Sequence, residues 1–309
     1  MTDKLIKLNT GAEIHAVGLG TWRSTEQEAY NAVLSALKAG YRHIDCAAIY
    51  GNEAPVGKAV RDSGVPRNEI FFTTKLWCTQ QRTPEKALRE SLERLGFDYV
   101  DLYLMHWPVA LKTSNIPKGS SVLCMPKNPD NPDARDVDLN DWDFRKTWEL
   151  MQKLPETGLT KAIGVSNFSI KNLEALFASP SFKIVPACNQ VELHPLLPQN
   201  ELIEFCEKKG IVIEAYSPLG SIGSPVLKDK TIIDLAHKYN VEPAQICISW
   251  GFSRGYVVLP KSIHEKRIIS NTKIVKLEKE DLDKIAQLPK IVGERRYVQP
   301  NFVPFPTFE

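Results

Sequence analysis

The sequence predicts an α/β fold, a (β/α)8 TIM barrel in which an N-terminal β-hairpin closes the bottom and long loops cover the C-terminal rim. Three observations lead there. Short apolar runs of strand character recur at 17–22, 43–47, 70–77, 99–107, 162–168, 187–194, 211–218 and 256–262. Between them lie stretches with charges three and four residues apart, the spacing of an amphipathic helix, as in Glu26 to Lys38, Pro84 to Leu95, Phe144 to Leu154, Asn200 to Lys209 and Lys230 to Tyr239. No Pro/Gly/Ser-rich linker divides the chain, so its 309 residues read as one barrel domain, 1–309, and not as two doubly wound halves.

Taken in order, Lys4 to Ile14 turns at Asn9-Thr10-Gly11-Ala12, a hairpin placed to close the barrel bottom. The run at 43–47 carries Asp45 and leads to Tyr50; the run at 70–77 carries Lys75 near its end; the run at 99–107 ends in Met105-His106-Trp107. Parallel barrel strands bring their C-terminal ends to one rim, so an acid, a phenol, an amine and an imidazole are expected side by side. Two segments break the alternation. Val109 to Asp141 is dotted with Pro117, Pro126, Pro129 and Pro132, and Gly293 to Glu309 holds Tyr297, Phe302, Phe305 and Phe308 among Pro300, Pro304 and Pro306. The first is too long for an idle loop and the second too aromatic for a disordered tail, and both are expected over the rim.

Composition excludes several function classes. With 39 basic and 37 acidic residues, the net charge of +2 gives no chain-wide attraction to nucleic acid or membrane. No stretch reaches the length of an uncharged membrane span, and Met1 to Leu8 lacks the apolar core of a signal peptide. The six cysteines, Cys46, Cys78, Cys124, Cys188, Cys206 and Cys247, have no Cys-x-x-Cys spacing, which disfavours disulfides and zinc and fits a cytoplasmic protein with reduced thiols. The histidines offer no metal-ligand set at strand ends, so no metal is expected.

Alone, Asp45 reads as a cap or ion-pair residue, Tyr50 as a loop aromatic, Lys75 as a solvated strand end and His106 as a core histidine. Together they suit proton transfer to a carbonyl oxygen. A phenol titrates near 10, and lowering it by about two units takes roughly 2.7 kcal/mol. An ammonium about 4 Å away contributes on the order of 4 kcal/mol at an effective dielectric of about 20. Lys75 is thus expected to lower the Tyr50 pKa, Asp45 to keep Lys75 charged, and His106 to orient the carbonyl as a neutral donor. Trp22, Trp77 and Trp107, at the ends of three of the strand runs, and Phe302 from the tail are expected to wall a substrate pocket.

Gly18-Leu19-Gly20-Thr21-Trp22, Gly40 to Asp45 with Ala48-Ile49-Tyr50-Gly51-Asn52-Glu53, and Thr73-Thr74-Lys75-Leu76-Trp77 resemble the aldo-keto reductase family. So do Asp101 to Pro108, Gly164-Val165-Ser166-Asn167-Phe168, Asn189 to Pro195 and Leu259-Pro260-Lys261-Ser262. The resemblance runs in order from about residue 5 to the end, and within the family it is strongest to the fungal NADPH-dependent glycerol dehydrogenase and carbonyl reductase branch. It implies the barrel, with Tyr50 as general acid assisted by Lys75, Asp45 and His106. It also implies NADPH/NADP+ as cofactor. Thr21 and Trp22 then line the nicotinamide and substrate end, Ser166, Asn167 and Gln190 hold the carboxamide, and Tyr216 stacks on the ring. Ser217, Leu219 and Ser221 follow the pyrophosphate, and Lys261, Ser262, Arg267 and Asn271 surround the adenosine end. The basic cluster Lys261, His264, Lys266 and Arg267, with Glu265 its one acid, suits a 2′-phosphate better than a bare ribose diol.

Gly18-Leu19-Gly20 is not the start of a dinucleotide fingerprint, because Arg23 occupies the third glycine position. Two departures from the family pattern are Cys46, where a small hydroxyl residue or alanine is common, and Ser270, where many members carry an acid. Neither removes a catalytic group. The function expected is reversible reduction of aldehydes and ketones, with activated or bulky carbonyls such as α-keto esters, aryl ketones and glyceraldehyde-like aldehydes as substrates. The rival is a barrel that binds the cofactor for regulation or structure with little turnover. Monomer and dimer are both compatible with the sequence.

Overall fold

The structure is a computed structural model describing residues 4–309; Met1, Thr2 and Asp3, the start of the stretch read above as lacking a signal core, lie outside the described residues. Leu5–Lys7 (β1) and Glu13–His15 (β2) pair antiparallel, with Ile6 opposite Ile14. The turn is closed by Leu8 N donating to Ala12 O at 2.8 Å. Leu8 and Ile14 are buried with Phe71, Ala162, Ala187 and Val257 inside the barrel, so the hairpin plugs the bottom.

The eight expected strands form one parallel sheet in chain order: Leu19–Gly20 (β3), His43–Asp45 (β4), Phe71–Leu76 (β5), Val100–Met105 (β6), Thr160–Ser166 (β7), Cys188–Glu192 (β8), Val212–Tyr216 (β9) and Val257–Leu259 (β10). The first and last strands close the ring: Val258 N donates to Ala16 O at 2.8 Å, and Gly18 N and Gly20 N donate to Val258 O and Pro260 O at 3.0 Å each. Gly18 is demanded by this closure. A Cβ there would lie 2.5 Å from His43 Nδ1 and 2.8 Å from Leu259 Cδ2.

Helices alternate with the strands wherever an apolar stripe and local caps agree. Glu26–Lys38 (α1) starts in a capping box between Thr25 and Glu28. Glu53–Asp62 (α2) packs backbone to backbone on Pro84–Leu95 (α3), because Gly57 lies where a Cβ would come within 2.0 Å of Leu95 O. Phe144–Met151 (α4) ends sooner than its pattern suggests, giving way to a 3-10 turn that begins at Pro155. Ile170–Phe177 (α5), Asn200–Lys208 (α6), Lys230–Tyr239 (α7) and Pro243–Ser253 (α8) follow, then Glu265–Ser270 (α9) and Lys279–Val292 (α10). The core between helices and sheet runs from Val33 and Val56 through Leu88, Trp148 and Leu173 to Ile248.

The two irregular segments meet over the rim. The segment at 109–141 carries only isolated bridges, Leu111 to Val137 and Lys127 to Arg135. Arg135 N donates to Asn301 O at 2.9 Å, and Asn301 Nδ2 returns a bond to Asp133 O at 3.0 Å. Phe302 and Phe308 set their rings against Trp107 at 5.4 and 6.1 Å.

Candidate active site

Strands β4, β5 and β6 are neighbours, so their C-terminal ends stand side by side. Asp45 is the last residue of β4, Lys75 the penultimate residue of β5, and His106 follows β6; Tyr50 ends the 3-10 turn Ala48–Tyr50. Lys75 is wholly buried, and its ammonium donates to both Asp45 carboxylate oxygens at 2.7 Å and to Cys46 O at 2.9 Å. All three ammonium donors are thereby used. The Tyr50 ring lies 5.2 Å from Lys75 Nζ and meets the His106 ring edge-on at 5.8 Å. Trp77 and Trp107 flank the imidazole at 5.3 and 6.4 Å.

The electrostatics differ from the expectation in one respect. The Tyr50 phenol is pushed well above its ordinary 10, by burial first and then by Asp45 and Cys46. Lys75 does not lower it, because both Asp45 oxygens absorb the ammonium charge and the phenol sees a compensated pair in a dry site. His106 is pushed well below its ordinary 6.5 by burial and then by Lys75, so the imidazole is neutral as expected.

These groups open into a cavity of about 690 Å³ on the rim. Its walls include Asp45, Tyr50, His106, Trp22, Trp77, Trp107 and Phe302, together with Ser166, Asn167, Gln190, Tyr216, Ser217, Leu219, Ser221 and Lys261. Ser166 ends β7, Gln190 lies in β8 and Tyr216 ends β9, which is why they share the rim. They bond to one another: Tyr216 OH donates to Asn167 Oδ1 at 2.7 Å, Asn167 Nδ2 to His106 O at 2.9 Å, and Ser166 Oγ to Gln190 O at 2.7 Å. Gln190 Nε2 donates to Asp45 Oδ1 at 2.8 Å and to Glu214 Oε2 at 2.7 Å, joining the ion pair to a second buried acid. Arg23, Asn167, Ser217, Ser221 and Ser224 on these walls hold positive φ of 57, 64, 49, 60 and 45°. Such strain in non-glycine residues concentrates at functional sites.

Five expected residues lie off the cavity. Lys75 is beneath it, and Thr21 is buried behind it with Oγ1 donating to Asp45 O at 2.9 Å. Ser262, Arg267 and Asn271 belong to the α9 segment: Ser262 Oγ accepts from His264 N at 3.1 Å, Arg267 is exposed, and Asn271 is buried at the helix end. Sequence reasoning missed Arg135, Met125, Ile49 and Val298 on the walls and Glu214 below. The overlong loop hinted at Arg135 and Met125, the aromatic tail at Val298 and the motif around Tyr50 at Ile49, but nothing pointed to Glu214.

A closed parallel barrel with a phenol, a neutral imidazole and a buried Lys–Asp pair in one rim cavity defines a TIM-barrel enzyme site. The chain belongs to the aldo-keto reductase family, whose model matches residues 16–290, and is thus an oxidoreductase. It is 59% identical to aldehyde reductase YPR1 of Saccharomyces cerevisiae over 98% of this chain and 96% of that one. It is also 59% identical to the glycerol 2-dehydrogenase (NADP(+)) of the same yeast, over 100% and 98%. The aldose reductase of Schistosoma japonicum superposes with a TM-score of 0.85 at 34% identity, covering 96% of this chain and 94% of that one. The fungal branch and the barrel expected from the motifs are therefore those of the chain.

Proposed function

We propose that the protein is an NADPH-dependent reductase of aldehydes and ketones, reversible in direction, acting as one barrel domain with Tyr50 as general acid. The observation that carries this reading is the Tyr50 phenol, half-buried on the cavity wall beside His106 and over the Lys75–Asp45 pair. A raised pKa keeps its proton in place at neutral pH, and among the described residues nothing engages its hydroxyl, which leaves it free for a substrate oxygen. Once hydride transfer leaves negative charge on that oxygen, the nascent alkoxide is more basic than a phenolate, so the proton passes from Tyr50 to it even with the phenol pKa raised. His106 Nδ1 is enclosed without a partner, so the imidazole proton serves best on the other nitrogen, as a donor to the same oxygen.

The cavity fits the proposed cofactor. Lys261 is a half-buried cation whose ammonium is pushed down chiefly by burial, and its one hydrogen bond is a long 3.4 Å contact to Arg23 O. A phosphate would relieve it. Ser166, Asn167 and Gln190 offer amide and hydroxyl groups for a carboxamide, Tyr216 offers a tethered ring face, and Ser217, Leu219 and Ser221 share the cavity wall with Lys261, the residue before Ser262. Bound there, the reduced nicotinamide supplies the hydride that goes to the carbonyl carbon. The aromatic wall of Trp22, Trp77, Trp107 and Phe302 suits bulky or activated carbonyls such as α-keto esters and aryl ketones, and the relatives' names agree with aldehydes and NADP+-linked glycerol chemistry.

The test is loss of 340 nm absorbance with NADPH or NADH and an α-keto ester, run beside Tyr50→Phe. Consumption should favour NADPH and fall by about 10²- to 10⁴-fold in the variant, the usual weight of a general acid. Near-normal turnover of Tyr50→Phe sinks the assignment, and tight NADPH binding with no turnover would favour the regulatory barrel.

A further inference from the structure

Arg135 comes from the irregular segment and faces the same cavity as Tyr50 and His106. Its Nε is enclosed without a hydrogen-bond partner, and among the described residues no carboxylate or ring meets its guanidinium. Two other partly buried arginines are matched by acids, Arg67 by Asp101 at 2.9 Å and Arg94 by Glu53 at 2.7 Å, while Arg296 lies over the Phe308 ring at 3.8 Å and Arg254 donates to Asn200 Oδ1 at 2.7 Å. Nearby acids are otherwise engaged or turned outward. Asp136 takes Asn115 at 2.7 Å and Lys112 at 3.7 Å, Asp138 pairs with Arg82, and Asp133 is exposed. A partly desolvated guanidinium left unmatched is costly, and a ligand anion would repay the cost.

Its place separates it from the cofactor end. Lys261 and Arg23 follow β10 and β3, whereas Arg135 belongs to the segment after β6, across the ring. Its backbone bonds Asn301, next to Phe302; the Phe302 ring meets Trp107 at 5.4 Å, and Trp107 stacks on His106 at 6.4 Å. The segment that carries Arg135 is thus tied to the aromatic wall beside His106, and the side chain lines the same cavity as Tyr50 and His106.

We propose that Arg135 forms a carboxylate subsite, so that the favoured substrates are oxo acids and aldehydic acids whose carboxylate reaches Arg135 while the carbonyl meets Tyr50. The inference rests on the reductase reading and deepens it. A planar guanidinium matches a carboxylate with two parallel hydrogen bonds.

Two aldehydes of nearly equal shape test it: 4-carboxybenzaldehyde and 4-nitrobenzaldehyde, each with NADPH, on the native protein, Arg135→Met and Arg135→Lys. The ratio of kcat/KM, carboxylate over nitro, should fall by about 10- to 100-fold in Arg135→Met, the range of a charge-assisted bond, with Arg135→Lys between. The loss should fall mainly on KM. An unchanged ratio overturns the subsite. Binding of 4-carboxybenzyl alcohol without cofactor, followed by tryptophan fluorescence, reads the subsite independently of turnover. If the native protein reduces neither aldehyde, the reductase reading fails, and a tenfold weaker affinity in Arg135→Met still supports the subsite, whereas equal affinity removes it.

Discussion

Lys75 and Asp45 sit at the ends of adjacent strands, wholly or almost wholly buried, with every ammonium donor used and the carboxylate further held by Gln190. Arg135 and Phe302 face the same cavity from segments without regular structure, held by a few bonds between 133–135 and 301 and by ring contacts on Trp107. One region derives its geometry from the barrel ladder, the other from two long segments that hold each other. A chemical step common to many carbonyls belongs on the first, and selection among carbonyls belongs on the second, where sequence can change without disturbing the ladder.

The contrast breaks most visibly at Lys75. Lys75→Met leaves Asp45 buried without its cation, and removing one partner of a buried pair costs about 3–5 kcal/mol. Urea unfolding should register that loss, and adding Asp45→Asn should restore part of it because the uncompensated charge is gone. A loss below about 1 kcal/mol for the single variant would mean that the pair is not the rigid base described above.

Glu214 sharpens the same side of the comparison. It is wholly buried, and burial and then Asp45 push its carboxyl from the ordinary 4.5 up to about 7. Its native pKa lies above the unfolded one, so between these values the native state keeps a proton that the unfolded chain releases. Its contribution is therefore intact below about pH 4.5 and lost as pH rises through about 7. Glu214→Gln removes the burden, and its stability advantage over the native protein should grow by about 2–3 kcal/mol between pH 5 and pH 8.5. Denaturant titrations at the two pH values decide it; an advantage independent of pH would place the Glu214 titration elsewhere.

Much of this was legible beforehand. Glu26–Lys38, Pro84–Leu95 and Lys230–Tyr239 have the bounds read from the sequence, because Thr25, Pro84 and Asp229 mark their starts locally. The grouping of Asp45, Tyr50, Lys75 and His106 was legible because the C-terminal ends of parallel barrel strands share one rim. Helix α2 was not singled out: Pro55 and Gly57 weaken its helical signal, and the reason for the glycine is the approach of Leu95, which only the fold reveals. The upward shift of Tyr50 was hidden for a related reason: whether Lys75 acts on the phenol depends on how completely Asp45 takes its charge. Arg135 was beyond reach because its position is set by Asn301, far along the chain.

The smallest expected effect tests how the wall is fastened. Glu192, the last residue of β8 and wholly buried, accepts from Tyr297 N at 2.8 Å and Val298 N at 2.9 Å, and its Oε1 also meets His194 Nε2 at 3.0 Å. A barrel strand thus reaches up and clamps the start of the tail that carries Phe302. Glu192→Gln keeps the shape but turns one acceptor into an amide donor facing an N–H, which costs about 1–3 kcal/mol. Spread over a tail held by few contacts, that cost should appear as local opening and not as global unfolding. Amide exchange at 297 and 298 should quicken by about 5- to 100-fold, and KM for bulky carbonyls should rise more than kcat falls. Unchanged exchange would mean that the ring contacts and the hydrogen bonds at Asn301 and Arg295 hold the tail without Glu192. Faster exchange with unchanged KM would mean that Phe302 is docked through Trp107 and Asn301 independently of Glu192, leaving the wall fastened from the loop side alone.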